Sequence, residues 1–183
     1  MPSHSTTSLA FFAERVVAEP FRARTMLRVL VEREVDFVVI GGIAGIARGS
    51  AYMTEDLDIA YARDPGNLGR LAAALAQLDA RLRGAPQELP FLLDAESLRQ
   101  GAHFTFETAS GPLDILDQPD GSPPYAELKR RAGEHLDVDG LPVLVASLDD
   151  LIAMKEATGR PRDRVVASEL RELSDEITER GGS

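Results

Sequence analysis

The chain has 183 residues, of which 44% are hydrophobic and 27% charged, proportions that suit one compact globular domain with at most a small helical extension. It contains no cysteine, which excludes disulfide scaffolds, thiolate metal sites, iron–sulfur clusters and thiol nucleophiles. Twenty Lys plus Arg against 30 Asp plus Glu give a net charge of −10, so any polyanionic partner needs a local basic patch rather than overall attraction.

In chain order, Leu9 to Val17 reads as a short amphipathic helix with Ser8 as its N-cap. A second helical pattern, Phe21 to Arg33, places Met26, Leu27, Leu30 and Val31 on one face. Val35 to Ile40 is short, apolar and β-branched and runs into Gly41-Gly42, the pattern of a buried strand ending in a sharp turn. A brief helix is expected over Ile43 to Arg48, a strand over Leu57 to Tyr61, and a helix from about Asn67 to Arg83. Gly84 to Pro90 reads as loop, with a turn of helix over Ala95 to Arg99. His103 to Thr108 and Leu113 to Leu116 read as strands joined by an Ala109 to Pro112 hairpin loop. After Pro123-Pro124 comes a basic helix to Arg131. Glu134 to Val138 and Pro142 to Val145 flank Asp139-Gly140, a two-residue hairpin signal. Ser147 caps a helix through Ala157, and Gly159 and Pro161 separate it from a last helix, Arg162 to about Arg180.

Helices interleaved with short strands predict an α/β or α+β fold around one mixed central sheet. The expected organisation is a single domain over residues 1–183. It has an N-terminal helical segment at about 8–34, an α/β core at about 35–146 and C-terminal helices at about 147–180. No apolar run approaches the roughly 18 residues of a membrane span. Met1 to Ser8 lacks the order of a secretory signal, so no membrane partner and a cytoplasmic location are expected.

The stretch Thr54-Glu-Asp-Leu-Asp-Ile59 carries the chemistry. Side chains alternate along a strand, so Asp56 and Asp58 share one face while Leu57 and Ile59 point to the other. Paired carboxylates repel unless a cation lies between them, and Mg²⁺ favours carboxylate oxygen together with substrate phosphate. Asp114 stands between apolar residues in Leu113-Asp-Ile-Leu116, and beside the first strand it would complete a cluster able to hold two metal ions. Gly41-Gly42 offers bare backbone where a strand turns into a helix, suited to phosphate. There is no Gly-x-Gly-x-x-Gly after a strand, no phosphate-binding Walker A sequence and no Gly-x-Ser-x-Gly elbow. His4, His103 and His135 lack metal-ligand spacing.

Gly-Gly after an apolar strand, Asp-x-Asp about fourteen residues on, and a lone Asp on a later strand together resemble the DNA polymerase β-like nucleotidyltransferase superfamily. Thr54-Glu-Asp-Leu-Asp-Ile59 is similar to its small prokaryotic branch, which includes AbiEii-like toxins of toxin–antitoxin systems, as is Ser147 to Asp163 with Lys155 and Arg160-Pro-Arg-Asp163. The resemblance covers roughly Val35 to Leu173 and implies a nucleotidyltransferase-like fold. It implies that Asp56 and Asp58 bind metals bridging a triphosphate, and that Asp114 ligates the catalytic metal or accepts the proton of the attacking hydroxyl. Gly41 and Gly42 would line the triphosphate, Thr54 would lie beside the nucleotide, and Lys155 would neutralise charge on departing pyrophosphate. Arg160 and Asp163 would fix the last helices together. Many relatives have a basic residue where this chain has Tyr52, and Arg48 is the candidate substitute in nucleotide binding.

The implied activity is Mg²⁺-dependent nucleotidyl transfer, with two ions and Mn²⁺ as an alternative, from an NTP such as ATP to an acceptor. RNA, particularly a tRNA end, or a protein is the implied acceptor, with a cognate antitoxin as a further partner. Arg22, Arg24, Arg28 and Arg33, Lys129 to Arg131, and Arg160 to Arg164 could supply local basic ground for RNA. A cationic, aminoglycoside-like acceptor would suit the net acidity. A non-catalytic binding or regulatory partner of the same fold is the third alternative.

Overall fold

The computed structural model describes residues 21–85 and 92–181. The expected Leu9 to Val17 helix and much of the Gly84 to Pro90 loop lie outside them. The elements are α1 (Ala23–Glu32), β1 (Phe37–Ile40), α2 (Gly41–Ala47), β2 (Leu57–Tyr61), α3 (Pro65–Gln77), β3 (Arg81–Leu82) and α4 (Ala95–Gln100). They continue as β4 (His103–Thr108), β5 (Gly111–Leu116), α5 (Tyr125–Ala132), β6 (Leu136–Val138), β7 (Leu141–Val143), α6 (Leu148–Ala157) and α7 (Pro161–Gly181).

Five strands form a mixed sheet in the order β1-β2-β5-β4-β3. Only the central β2–β5 pair is parallel, and the other pairs are antiparallel. The outer edge of β1 is covered locally: Val39 donates to the Leu144 carbonyl, and Ala146 donates back to the Val39 carbonyl. Sheet and helices share one apolar core. Val38, Val39, Leu57, Ile59, Leu113 and Ile115 supply the sheet side, and Leu27, Leu30, Leu68, Leu71 and Leu75 belong to α1 and α3. Burying each such side chain contributes about 1.5–3 kcal/mol, which explains why alternate positions of β2 and β5 are apolar.

The mixed sheet flanked by helices agrees with the expected fold class, with three local corrections. The helix expected to reach Arg83 ends at Gln77. Asp79 there adopts a left-handed backbone (φ 52°), and the chain turns into β3, which pairs with Phe106 and Glu107 of β4. Tertiary pairing overrides the helical pattern at this point. Second, the β4–β5 connection is only Ala109-Ser110, because Gly111 (φ 110°) and Pro112 are already paired in the sheet. Third, the strand expected over Pro142 to Val145 is Leu141–Val143, which pairs with β6 in a two-stranded ladder of its own. Its turn is as read, with both Asp139 (φ 54°) and Gly140 (φ 82°) left-handed, as a tight primed hairpin turn requires.

Candidate active site

Asp58 is the second residue of β2, and its parallel neighbour at the same level of β5 is Asp114. The apolar flanks Leu57, Ile59, Leu113 and Ile115 are fully buried, so the pleat sends both aspartates to the other side of the sheet. Asp56, two residues before Asp58, joins them. One carboxylate oxygen from each of Asp56, Asp58 and Asp114 lies within 4.8 Å of the others, and all three residues are half-buried.

Such a cluster is under strong electrostatic pressure. Burial, with the Asp56 and Asp114 charges beside it, pushes the Asp58 carboxyl up to about 7, while Lys155 and Arg83 oppose the shift. Burial also raises Asp114, and the Arg83 charge restrains it. Three converging carboxylate oxygens are hard donors, and a divalent cation would relieve their repulsion. The donor set therefore fits Mg²⁺ or Mn²⁺, which would also draw ligands from water and phosphate.

The surroundings fix this cluster tightly. The Thr54 hydroxyl donates to the Asp56 carboxylate. Gly41 has a left-handed backbone (φ 65°), and a Cβ there would collide with the Asp58 carboxylate. A Cβ on Gly42 would collide with the Thr54 side chain. The Gly-Gly pair thus allows α2 to begin directly at the end of β1, at Gly41 rather than Ile43, and to press against the acidic strand.

Lys155 comes from the last turn of α6. Ser147 caps that helix by accepting from the Asp150 backbone N–H (3.2 Å), and its hydroxyl donates to the Asp150 carboxylate (2.7 Å). The Lys155 ammonium donates to Asp163 at 3.1 Å, and Asp163 also accepts from the Thr158 hydroxyl at 2.7 Å. Asp163 therefore ties α6 to α7, as expected of it. Arg160 lines the cleft together with Asp163, and, against the upward push of burial, its charge helps the Thr158 and Lys155 hydrogen bonds to hold the Asp163 carboxyl below the usual carboxylate value. This cleft has a volume of about 730 Å³, and its walls include Gly42, Thr54, Asp56, Asp58, Arg83 and Lys155.

Arg48 is a correction. Its guanidinium donates to the backbone carbonyls of Ala146 (3.0 Å), Val145 (2.6 Å) and Ala132 (3.2 Å), so it knits α2 to distant segments instead of facing a nucleotide. Burial lowers its pKa, as expected for a guanidinium committed to the interior. The cation that does reach the carboxylates is Arg83, which sequence reading placed at the end of a helix. Arg83 donates to Asp114 at 2.8 Å and lies 3.8 Å from Glu107. No local pattern signals this role, because it depends on the turn at Asp79 and on pairing with β4.

No protein-family model matches the chain, and no curated protein matches it. Solved structures do match in fold. The crystal structure of ANT(2")-Ia in complex with adenylyl-2"-tobramycin aligns with a TM-score of 0.53 and 20% identity, covering 83% of this chain and 85% of that one. The candidate nucleotidyltransferase TM1012 from Thermotoga maritima aligns with a TM-score of 0.51 and 15% identity, covering 84% and 90%. The chain has a nucleotidyltransferase-like fold. Asp58 and Asp114 are paired across β2 and β5, and α6 and α7 contribute Lys155, Arg162 and Asp163 to the cleft that Asp56 and Asp58 line.

Proposed function

We propose that the chain is a divalent-metal-dependent nucleotidyltransferase that moves a nucleoside monophosphate from an NTP to an acceptor hydroxyl and releases pyrophosphate. The observation that carries this reading is the convergence of Asp56, Asp58 and Asp114 within 4.8 Å, with Asp56 and Asp58 lining the same cleft as Lys155. Divalent ions, when bound, supply positive charge to phosphate oxygens in such chemistry. Asp56 and Asp58 would hold these ions, and Asp114 would either complete the ligand set or take the proton of the acceptor hydroxyl. The acceptor oxygen then bonds to the α-phosphorus as the bond to the β-phosphate oxygen breaks. Lys155 would lend charge to the departing pyrophosphate. Gly42 and Thr54 line the approach to this point.

For the acceptor we favour RNA, in particular a tRNA end, or a protein hydroxyl, and the biological setting of a toxin within a toxin–antitoxin pair. The resemblance of residues 54–59 and 147–163 to the small prokaryotic branch supports this choice, with cytoplasmic action against such acceptors. The test is incubation with Mg²⁺, each of four α-³²P-labelled NTPs and total tRNA, beside an Asp58→Asn control. Label on tRNA or protein with the unaltered chain only is the expected result. Label transferred solely to an added aminoglycoside would reassign the acceptor, and NTP binding without transfer to any acceptor would favour a regulatory partner.

A further inference from the structure

The segment before β2 alternates in exposure. Tyr52, Thr54, Asp56 and Asp58 are half-buried, while Ala51, Met53 and Glu55 between them are exposed. Residues 52 to 56 and Asp58 all line the cleft wall, and their half-buried members lead from the carboxylates through the Thr54 hydroxyl to the Tyr52 ring. Over that ring lies the Arg162 guanidinium, 5.3 Å from the centroid. Arg162 is exposed, lines the same cleft and forms no ion pair with any described carboxylate. In a chain with 30 acidic residues, a guanidinium aimed along a cleft without such a partner is conspicuous.

The position of Arg162 is also built. Gly159 (φ 67°) turns the chain, Pro161 opens α7, and Asp163 is anchored by both Lys155 and Thr158, so the first turn of α7 is fixed against α6. A guanidinium held over a ring by cation–π attraction keeps N–H groups available for bidentate bonds to phosphate. Arg160 stands on the same wall as a second cation. We propose that Arg162, braced on Tyr52, grips the terminal phosphate of the NTP at the far end of the segment before β2 from the metal-binding aspartates. This rests on the nucleotidyltransferase reading and names the cations that set its preference for a triphosphate.

The test compares affinity for an NTP analogue that cannot be cleaved between its α and β phosphates with affinity for the matching NMP, both with Mg²⁺ and by competition. Arg162→Gln should weaken the analogue roughly tenfold, as expected for loss of a charge-assisted hydrogen bond, and leave NMP within about twofold. Tyr52→Leu should cost the analogue roughly threefold by removing the platform, while Tyr52→Phe, which keeps the ring, should bind as the unaltered chain does. Thermal melting of each variant verifies that it folds. Unchanged analogue affinity in Arg162→Gln, or equal losses for analogue and NMP, would overturn the grip and leave Arg162 a helix anchor. A loss confined to binding of an RNA oligonucleotide would also overturn it, by assigning the cation to acceptor phosphate. If the unaltered chain bound no NTP, the nucleotidyltransferase reading itself would fall, an outcome distinct from failure of Arg162 alone.

Discussion

Asp58 is the residue at which the site's electrostatics concentrate. Its carboxyl is held at about 7 by burial and by two like charges, against an ordinary value of 3.8. Because the folded value lies above the unfolded one, the folded state binds the extra proton between about pH 4 and pH 7, and stability falls as pH rises through that window. In metal-free protein, Asp58→Asn should therefore be more stable than the unaltered chain at pH 8, by on the order of 2 kcal/mol, and nearly equal to it at pH 4. Urea unfolding at the two pH values checks this, and a variant less stable at pH 8 would contradict it. The residues around Asp58 were legible to different degrees. The i, i+2 spacing of Asp56 and Asp58 and the apolar flanks of Asp114 follow from strand alternation alone, so their shared face could be read directly. Arg48 could not, since its carbonyl partners at Ala132, Val145 and Ala146 are distant in sequence.

At the scale of elements, the two-residue strand β3 matters more than its length suggests. It carries the chain from Asp79 to Arg83, whose backbone N–H donates to Thr105 while its side chain reaches Asp114. Arg83 therefore both stabilises the metal-free cluster and competes with any cation for Asp114. Arg83→Gln should lower the stability of metal-free protein by about 1 kcal/mol, a discounted value because the pair is partly exposed. The same change should strengthen Mn²⁺ binding severalfold by removing a positive charge from the ligand set. Melting curves with and without Mn²⁺ separate the two effects, and weaker metal binding in the variant would sink the competition. The helix signals of this chain were legible where capping is local, as at Ser147; α3 starts at Pro65 behind its Asp64 cap, two residues before the expected start at Asn67. The end of α3 was not legible, because it depends on β3 pairing with β4, more than twenty residues further along the chain.

Across the whole molecule, the net charge of −10 and the chemistry of the cleft pull in opposite directions. Among the described residues, Arg83, Lys155, Arg160 and Arg162 line the same cleft as Asp56 and Asp58, so the acidic chain carries a local group of cations there. The mixed sheet, with its parallel β2–β5 pair, brings Asp58 and Asp114 to the same level, and the Lys155–Asp163 ion pair ties α6 to α7 at the cleft. No described helix is long and apolar enough to cross a membrane. All of this arrangement has a purpose only if the carboxylates hold a divalent ion. The most direct measurement is Mn²⁺ binding, followed by the paramagnetic signal of the free ion at pH 7.5, for the unaltered chain, Asp58→Asn and Asp114→Asn. Saturable binding that Mg²⁺ displaces, weakened roughly tenfold or more in each variant, is the expected result. Equal binding by all three proteins, or none by the unaltered chain, would contradict a metal centre at these aspartates.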